Sequence, residues 1–297
     1  MTIVTRRSYE ASHIKRLRST RDEVEARRYA LLQIITKMRP MTVRQVFYQA
    51  TVLGLVEKSE KGYNKVQIDL TKMRRDGTLS YDWLADNTRW QRRPTTYDSV
   101  QDALDSTARF YRKSLWADAK CYVEIWLEKD ALSGVVYPIT DEYDTPLMVA
   151  RGYASLSFLH TAAVYISDLT VPTYIYHLGD FDPSGVNAGE SIEQSLREMA
   201  PDAEIHFKRL AVTTKQIARW RLPTRPTKKT DTRAKKFGKI SVELDALAPG
   251  RLRGLVRSAI ERHLPRKQLK ILKIAEESER EIIGGLVGML KRRMDDE

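Results

Sequence analysis

From about residue 120 the chain alternates short apolar runs with longer amphipathic segments, and this rhythm leaves little freedom of fold. "CYVEIWLE", "PLMVARG", "TYIYHLGDFD" and "AEIHFKRLA" read as strands. Between them, "KDALSGVVYPITDEY", "SLSFLHTAAVYISDL" and "VNAGESIEQSLREMA" read as helices. Apolar strands separated by helices predict an α/β fold, a parallel sheet covered by helices on both faces. In such sheets ligands bind beyond the carboxyl ends of the strands. The closing segments "LRGLVRSAIERHL" and "ILKIAEESEREIIGGLVGMLKRRM" read as amphipathic helix.

The first third has a different pattern. Thr20 and Glu23 form a capping-box signal, and Val24, Leu31, Ile35 and Met38 recur at helical spacing up to Pro40. Thr42 can cap the next helix, "VRQVFYQATVL", which Gly54 ends. A third helix, "YNKVQIDLTKMRRDG", carries Val66, Leu70 and Met73 on one face and Lys65, Lys72, Arg74 and Arg75 elsewhere. Helix, turn, basic helix and the short "TLSYDWLA" is the order of a winged helix-turn-helix. The reading is two domains. Residues 1–112 form a helical, winged-helix DNA-binding unit, and 113–297 hold the sheet and the C-terminal helices.

Charge points to the partner. Lys plus Arg outnumber Asp plus Glu by 51 to 39, a net charge of +12, which favours a polyanion such as DNA. Between Lys215 and Lys239 lie ten basic residues, among them Arg225, Lys228, Lys229, Arg233, Lys235 and Lys236, against the single acid Asp231. This stretch reads as a mobile basic loop that orders against phosphates. No segment approaches the ~20 apolar residues of a membrane span, and no apolar run follows the opening arginines. A cytoplasmic, nucleoid-associated protein without membrane contact is the expectation. Cys121 is the only cysteine, so neither an internal disulfide nor a cysteine-based zinc site is encoded. No phosphate-binding "GxxxxGK[ST]" loop is present.

Chemistry concentrates in "YIYHLGDFDPSGV". Asp180 and Asp182 stand where the third strand gives way to its loop, and Glu128 holds the same place on the first strand, in "WLEKDA". Three carboxylates at one rim repel strongly, and a hard divalent cation resolves that repulsion. Mg²⁺ is the expected ion, with Mn²⁺ as its substitute. Gly179 and Gly185 would let backbone approach closely. The ordinary alternative is that Asp180 caps a turn and Asp182 merely precedes a proline.

"LEKDA" followed by "GDFDPSG" resembles the Toprim domain, and the wording "EKDA" is similar to the A subunit of topoisomerase VI and its meiotic double-strand-break relatives. "TVRQVFYQA" resembles the R-x-x-x-Y context of that family's catalytic tyrosine, matching Arg44 and Tyr48. "SVELDAL" is similar to a segment near the family's C-terminal end. The resemblance spans roughly 42–247. It implies a metal site of Glu128, Asp180 and Asp182, a phosphotyrosine formed by Tyr48, a homodimer in which the tyrosine of one protomer serves the metal site of the other, and a separate ATPase subunit of B type.

Physical chemistry bears on this independently. A phenol with a pKa near 10 is a poor nucleophile unless its anion is stabilised. Arg44, one turn before Tyr48, shares its face and could hold the phenolate or the phosphate. The ordinary alternative for Tyr48, beside Val46 and Phe47, is a core residue. Three readings follow. The first is a metal-dependent DNA transesterase acting through Tyr48, with Arg44 and Glu128 assisting. The second is a Toprim nuclease that hydrolyses DNA with metal-activated water. The third is a non-catalytic DNA-binding or assembly protein. The five histidines show no ligand spacing, although His177 lies just ahead of the acids.

Overall fold

A computed structural model describes residues 19–85, 94–227 and 237–295. Three helices open the described chain: α1 (Arg21–Met38), α2 (Val43–Val52) and α3 (Glu60–Arg75). Thr20 with Glu23 and Thr42 with Gln45 close full capping boxes at the starts of α1 and α2. A 3₁₀ turn at Tyr81–Trp83 follows, and a helix unforeseen from sequence, α4 (Val100–Phe110), is capped by Ser99. The helix, turn and basic helix are therefore present. Among the described residues no hairpin stands between α3 and the parallel sheet, and 86–93 lie outside them.

The sheet then forms as its rhythm dictates: β1 (Tyr122–Leu127), α5 (Ser133–Glu142), β2 (Leu147–Val149), α6 (Leu156–Ser167), β3 (Thr173–Leu178), α7 (Pro183–Met199) and β4 (Ile205–Ala211). All pairings are parallel, in the order β2-β1-β3-β4. The chain is thus a mixed α/β protein. After β4 come α8 (Thr214–Trp220), two short antiparallel strands β5 (Arg225–Pro226) and β6 (Ile240–Ser241), a 3₁₀ turn at Leu244–Ala246, α9 (Pro249–Ile260) and α10 (Arg266–Asp295).

Apolar packing covers both faces of the sheet. On one face Trp126, Ile175 and Ile205 meet Leu159 and Ile166 of α6 and Ile192 and Leu196 of α7. On the other, Val123, Ile125, Leu127 and Tyr176 join a larger cluster that includes Val136 of α5, Leu252 and Val256 of α9, and Leu31, Val46, Tyr48 and Leu70 of the opening helices. One continuous core thus runs from the helical third into the sheet. Burial of that apolar surface, at about 25 cal/mol per Å², is the main stabilising term.

A polar tie reinforces the opening helices. Asp69 of α3, fully buried, accepts hydrogen bonds from Arg27 (2.7 Å) and Arg28 (3.1 Å) of α1. Tyr111, Lys113 and Arg280 similarly tie the end of α4 to α10 through Glu276, Glu279 and the Tyr111 carbonyl.

Candidate metal and phosphate site

The parallel register sets Leu127 opposite Leu178, so the residues just beyond β1 and β3 emerge side by side. Glu128 N–H donates to the Leu178 carbonyl (2.9 Å), and Asp180 N–H donates back to Glu128 Oε2 (2.9 Å). Gly179 lies between them. A Cβ built there would fall 2.6 Å from Glu128 Oε2 and 2.7 Å from the His177 ring, and one on Gly185 would fall 2.5 Å from the Asp180 carbonyl oxygen. Both glycines are therefore steric requirements of the loop.

The two aspartates have separate duties. Asp182 Oδ1 caps α7 by accepting from Gly185 N–H (2.8 Å), with Pro183 in the first helical position where its missing N–H costs nothing. The ordinary reading of the motif thus holds in part, with the capping role on Asp182. Asp180, 6% exposed, accepts from Leu244 N–H (2.8 Å) at Oδ1 and meets the Lys129 ammonium (3.0 Å) at Oδ2.

A second acidic segment arrives through backbone pairing. Phe181 and Val242 exchange hydrogen bonds of 2.8 and 2.9 Å, which brings Glu243 and Asp245 to the same rim. Lys129 bonds Asp245 (2.9 Å), and Thr42 Oγ1 at the start of α2 donates to Asp245 Oδ1 (2.9 Å). Arg44 reaches Glu243 (3.1 Å), as does Arg225 (2.8 Å), whose other nitrogen reaches Asp182 (3.2 Å). The helix bearing Tyr48 is thereby joined to the acids at the sheet edge. A cleft of about 600 Å³, lined by Arg44, Tyr63, Lys129, Glu243 and Asp245 among others, opens beside them.

Electrostatics follow from burial and the surplus of acids. Desolvation, helped by the Asp180 charge, pushes the Glu128 carboxyl up to about 7. Burial also raises Asp180, against the opposing pull of Lys129. Burial alone would lower the Lys129 ammonium, but Asp245, Asp180 and Glu243 more than offset it and hold the lysine above its ordinary value. His177, 1% exposed, is pushed down to about 3 by burial and then by Arg209, so it is neutral.

Arg209 fixes the loop. Its guanidinium donates to the carbonyls of Val212 (3.0 Å), Gly185 (3.1 Å), Gly179 (2.9 Å) and Asp180. Sequence reasoning passed over Arg209, Lys129 and Asp245, and noticed Glu243 only as part of a resembling segment. Lys129 adjoins Glu128 in "EKDA", which was a usable signal. Arg209 looked like any basic residue in a half-exposed strand.

Tyr48 is 4% exposed and packs on Phe47, with Lys58 5.8 Å from its ring centre. Burial, with Glu243 nearby, pushes its phenol well above the ordinary value, opposed by Arg44, Arg225 and Lys129. Of the expected DNA-contact residues, Lys65, Lys72 and Arg75 are exposed on α3, and Arg74 lies over the Tyr81 ring. Lys228, Lys229, Arg233, Lys235 and Lys236 fall outside the described residues.

The fit of a cation can be judged from the donors. Glu128, Asp180 and Asp182 are hard oxygen donors around a glycine cradle, the chemistry that Mg²⁺ and Mn²⁺ prefer. Among the described residues no three His, Cys, Asp or Glu side chains stand in a ligating arrangement. The carboxylates are turned instead onto internal partners, Asp182 onto Arg225 and Asp180 onto Lys129. The donor set suits the ion, and the orientations are those of a shell closed on the chain's own cations. No helix among the described residues is long and apolar enough to cross a membrane. No family model and no curated protein matches the chain.

Proposed function

We propose that this chain is a divalent-cation-dependent DNA-cleaving protein of the kind its motifs resemble, cutting by transesterification through Tyr48. The observation that carries the reading is the link between Glu128 and Asp180 at the carboxyl edge of the sheet, across Gly179, with Asp182 two residues on in the same loop and the Tyr48 helix tied to the same rim through Arg44 and Glu243. Glu128, Asp180 and Asp182 would hold the cation, which when bound would neutralise charge on the scissile phosphate. Arg44 holds the phosphate or the phenolate through its fork of donors. The Tyr48 oxygen bonds to phosphorus as the phosphorus–sugar oxygen bond breaks. The phenolic proton leaves to solvent and the departing sugar oxygen takes one up, so neither electrons nor protons are consumed. Arg209 keeps the acid loop in place through its four carbonyl contacts. Lys65, Lys72, Arg74 and Arg75 supply duplex contact from α3. A homodimer and a B-type ATPase partner belong to the proposal on the resemblance alone.

One observation favours a second reading. Tyr48 is buried and its phenol is harder to ionise than a free one. Hydrolysis by water at the acid site would leave Tyr48 a core residue. Incubation of the full chain with supercoiled DNA and Mg²⁺ or Mn²⁺ separates the two on a denaturing gel. Transesterification gives protein-linked DNA that proteinase releases and that Tyr48→Phe abolishes. Free cut ends with wild-type protein and with Tyr48→Phe would establish hydrolysis. Intact DNA under every condition would count against both and favour a binding role.

A further inference from the structure

Five carboxylates meet at the rim: Glu128, Asp180, Asp182, Glu243 and Asp245. Three cationic side chains bond to them, namely Lys129, Arg44 and Arg225. A fourth, Arg209, lies close but spends its donors on backbone carbonyls. The acids outnumber the cations bonded to them by five to three, and by five to four with Arg209 counted. Beside them lies an unserved polar group. The buried His177 ring has no hydrogen-bond partner at either nitrogen, and its edge and Glu128 Oε2 both lie against the Cβ position that Gly179 leaves empty. An acid surplus next to a neutral imidazole without partners points to a ligand that the chain's own groups do not replace.

The cations differ in how firmly they are held. Lys129 follows Glu128 directly and bridges Asp180 to Asp245 at 3.0 and 2.9 Å. Arg225 comes from β5, a strand of two residues paired with β6, and its side chain is 31% exposed. Its contact with Asp182, at 3.2 Å, is the longest of its two ion pairs. A carboxylate oxygen that ligates Mg²⁺ at about 2.1 Å cannot keep a guanidinium in the same place, because the two cations repel.

We infer that Arg225 is an internal stand-in for the divalent cation, holding Asp182 and Glu243 until the cation takes Asp182 and frees the guanidinium for a substrate phosphate. This rests on the cation-dependent reading above and names the residue that competes at that site. Arginine suits the exchange, since its planar fork serves a carboxylate and a phosphate diester with the same geometry. Glu243 keeps Arg44 at 3.1 Å when Arg225 leaves, so the acid is not stranded.

The test is Mn²⁺ binding to the full chain without DNA, read from the paramagnetic signal of free Mn²⁺. Arg225→Gln is expected to bind Mn²⁺ about fivefold tighter than wild type, the scale of one partly exposed ion pair. Arg225→Lys stays near wild type, and Asp182→Asn weakens binding and removes the gain when combined with Arg225→Gln. Equal affinities of wild type and Arg225→Gln would overturn this inference and leave the cation-dependent reading standing. No Mn²⁺ binding by any form would overturn both. A second measurement needs no variant: phenylglyoxal labelling of Arg225, followed by mass spectrometry, is expected to rise severalfold on adding Mn²⁺. Unchanged labelling in protein that binds Mn²⁺ would also sink the exchange.

Discussion

Two buried acid clusters in this molecule have opposite balances. Asp69 of α3 faces two arginines, Arg27 and Arg28, and every charge it carries is answered within 3.1 Å. At the carboxyl end of the sheet five acids face three cations that bond to them, and burial, helped by the Asp180 charge, pushes the Glu128 carboxyl up to about 7. The first cluster is a completed tie between two helices. The second leaves buried acids without a full set of partners, the pattern of charge that the proposed cation site would use. The difference, a cluster closed on itself against one whose acids outnumber the cations bonded to them, is the one on which the proposed function draws.

The contrast can be broken most forcefully at Asp69. Asp69→Ala leaves two poorly exposed guanidinium groups unpaired and is expected to cost about 3–5 kcal/mol of stability, measured by urea unfolding. A loss under 1 kcal/mol would mean that the tie is not what secures α1 to α3.

At the sheet edge the opposite sign is expected. Because the folded-state pKa of Glu128 stands above its unfolded value, this carboxyl favours the fold fully below about pH 4.5, and that contribution is lost as the pH rises through about 7. Glu128→Gln is therefore expected to leave the chain up to about 3 kcal/mol more stable than wild type at pH 8, while the gap narrows toward pH 5. Melting curves at the two pH values decide it. A variant less stable than wild type at pH 8 would place Glu128 with Asp69, as structure alone.

The smallest effect lies on the surface. Lys72 is exposed on α3, and Lys72→Ala is expected to lower the slope of log binding constant against log salt by about 0.9 if it meets a DNA phosphate. The same slope in variant and wild type would remove that residue from the DNA face. Unlike the buried clusters, such a site changes affinity without changing stability.

Legibility in the sequence followed the range of the interactions. The parallel sheet was readable because each strand and helix announces itself within ten or so residues, and Glu128, Asp180 and Asp182 were readable because strand ends are local features. α4 was passed over although Val100, Ala103, Leu104 and Phe110 recur at helical spacing, and none of its residues is fully buried. The partners of the acids escaped for another reason. Lys129 meets Asp245 across 116 positions, and Thr42 meets Asp245 across 203. No spacing rule reaches that far. The basic stretch after Lys215 was read as one loop, yet its ends are pinned by the pairing of Arg225 with Ser241, which turns one of its arginines inward. Tyr48 was correctly placed on a helix, but its burial depends on packing that only the assembled core supplies.

The four-carbonyl grip of Arg209 sets what could be moved to another protein. A lysine offers three donors from a single nitrogen and could not span four carbonyls on three separate backbone stretches. The acid loop is therefore inseparable from the neighbouring strand. Grafting Gly179 to Gly185 onto a foreign sheet would transplant the acids and leave behind their fastening. The smallest portable piece is the loop together with Arg209 and the turn at Val212, two adjacent strand ends that move as one part.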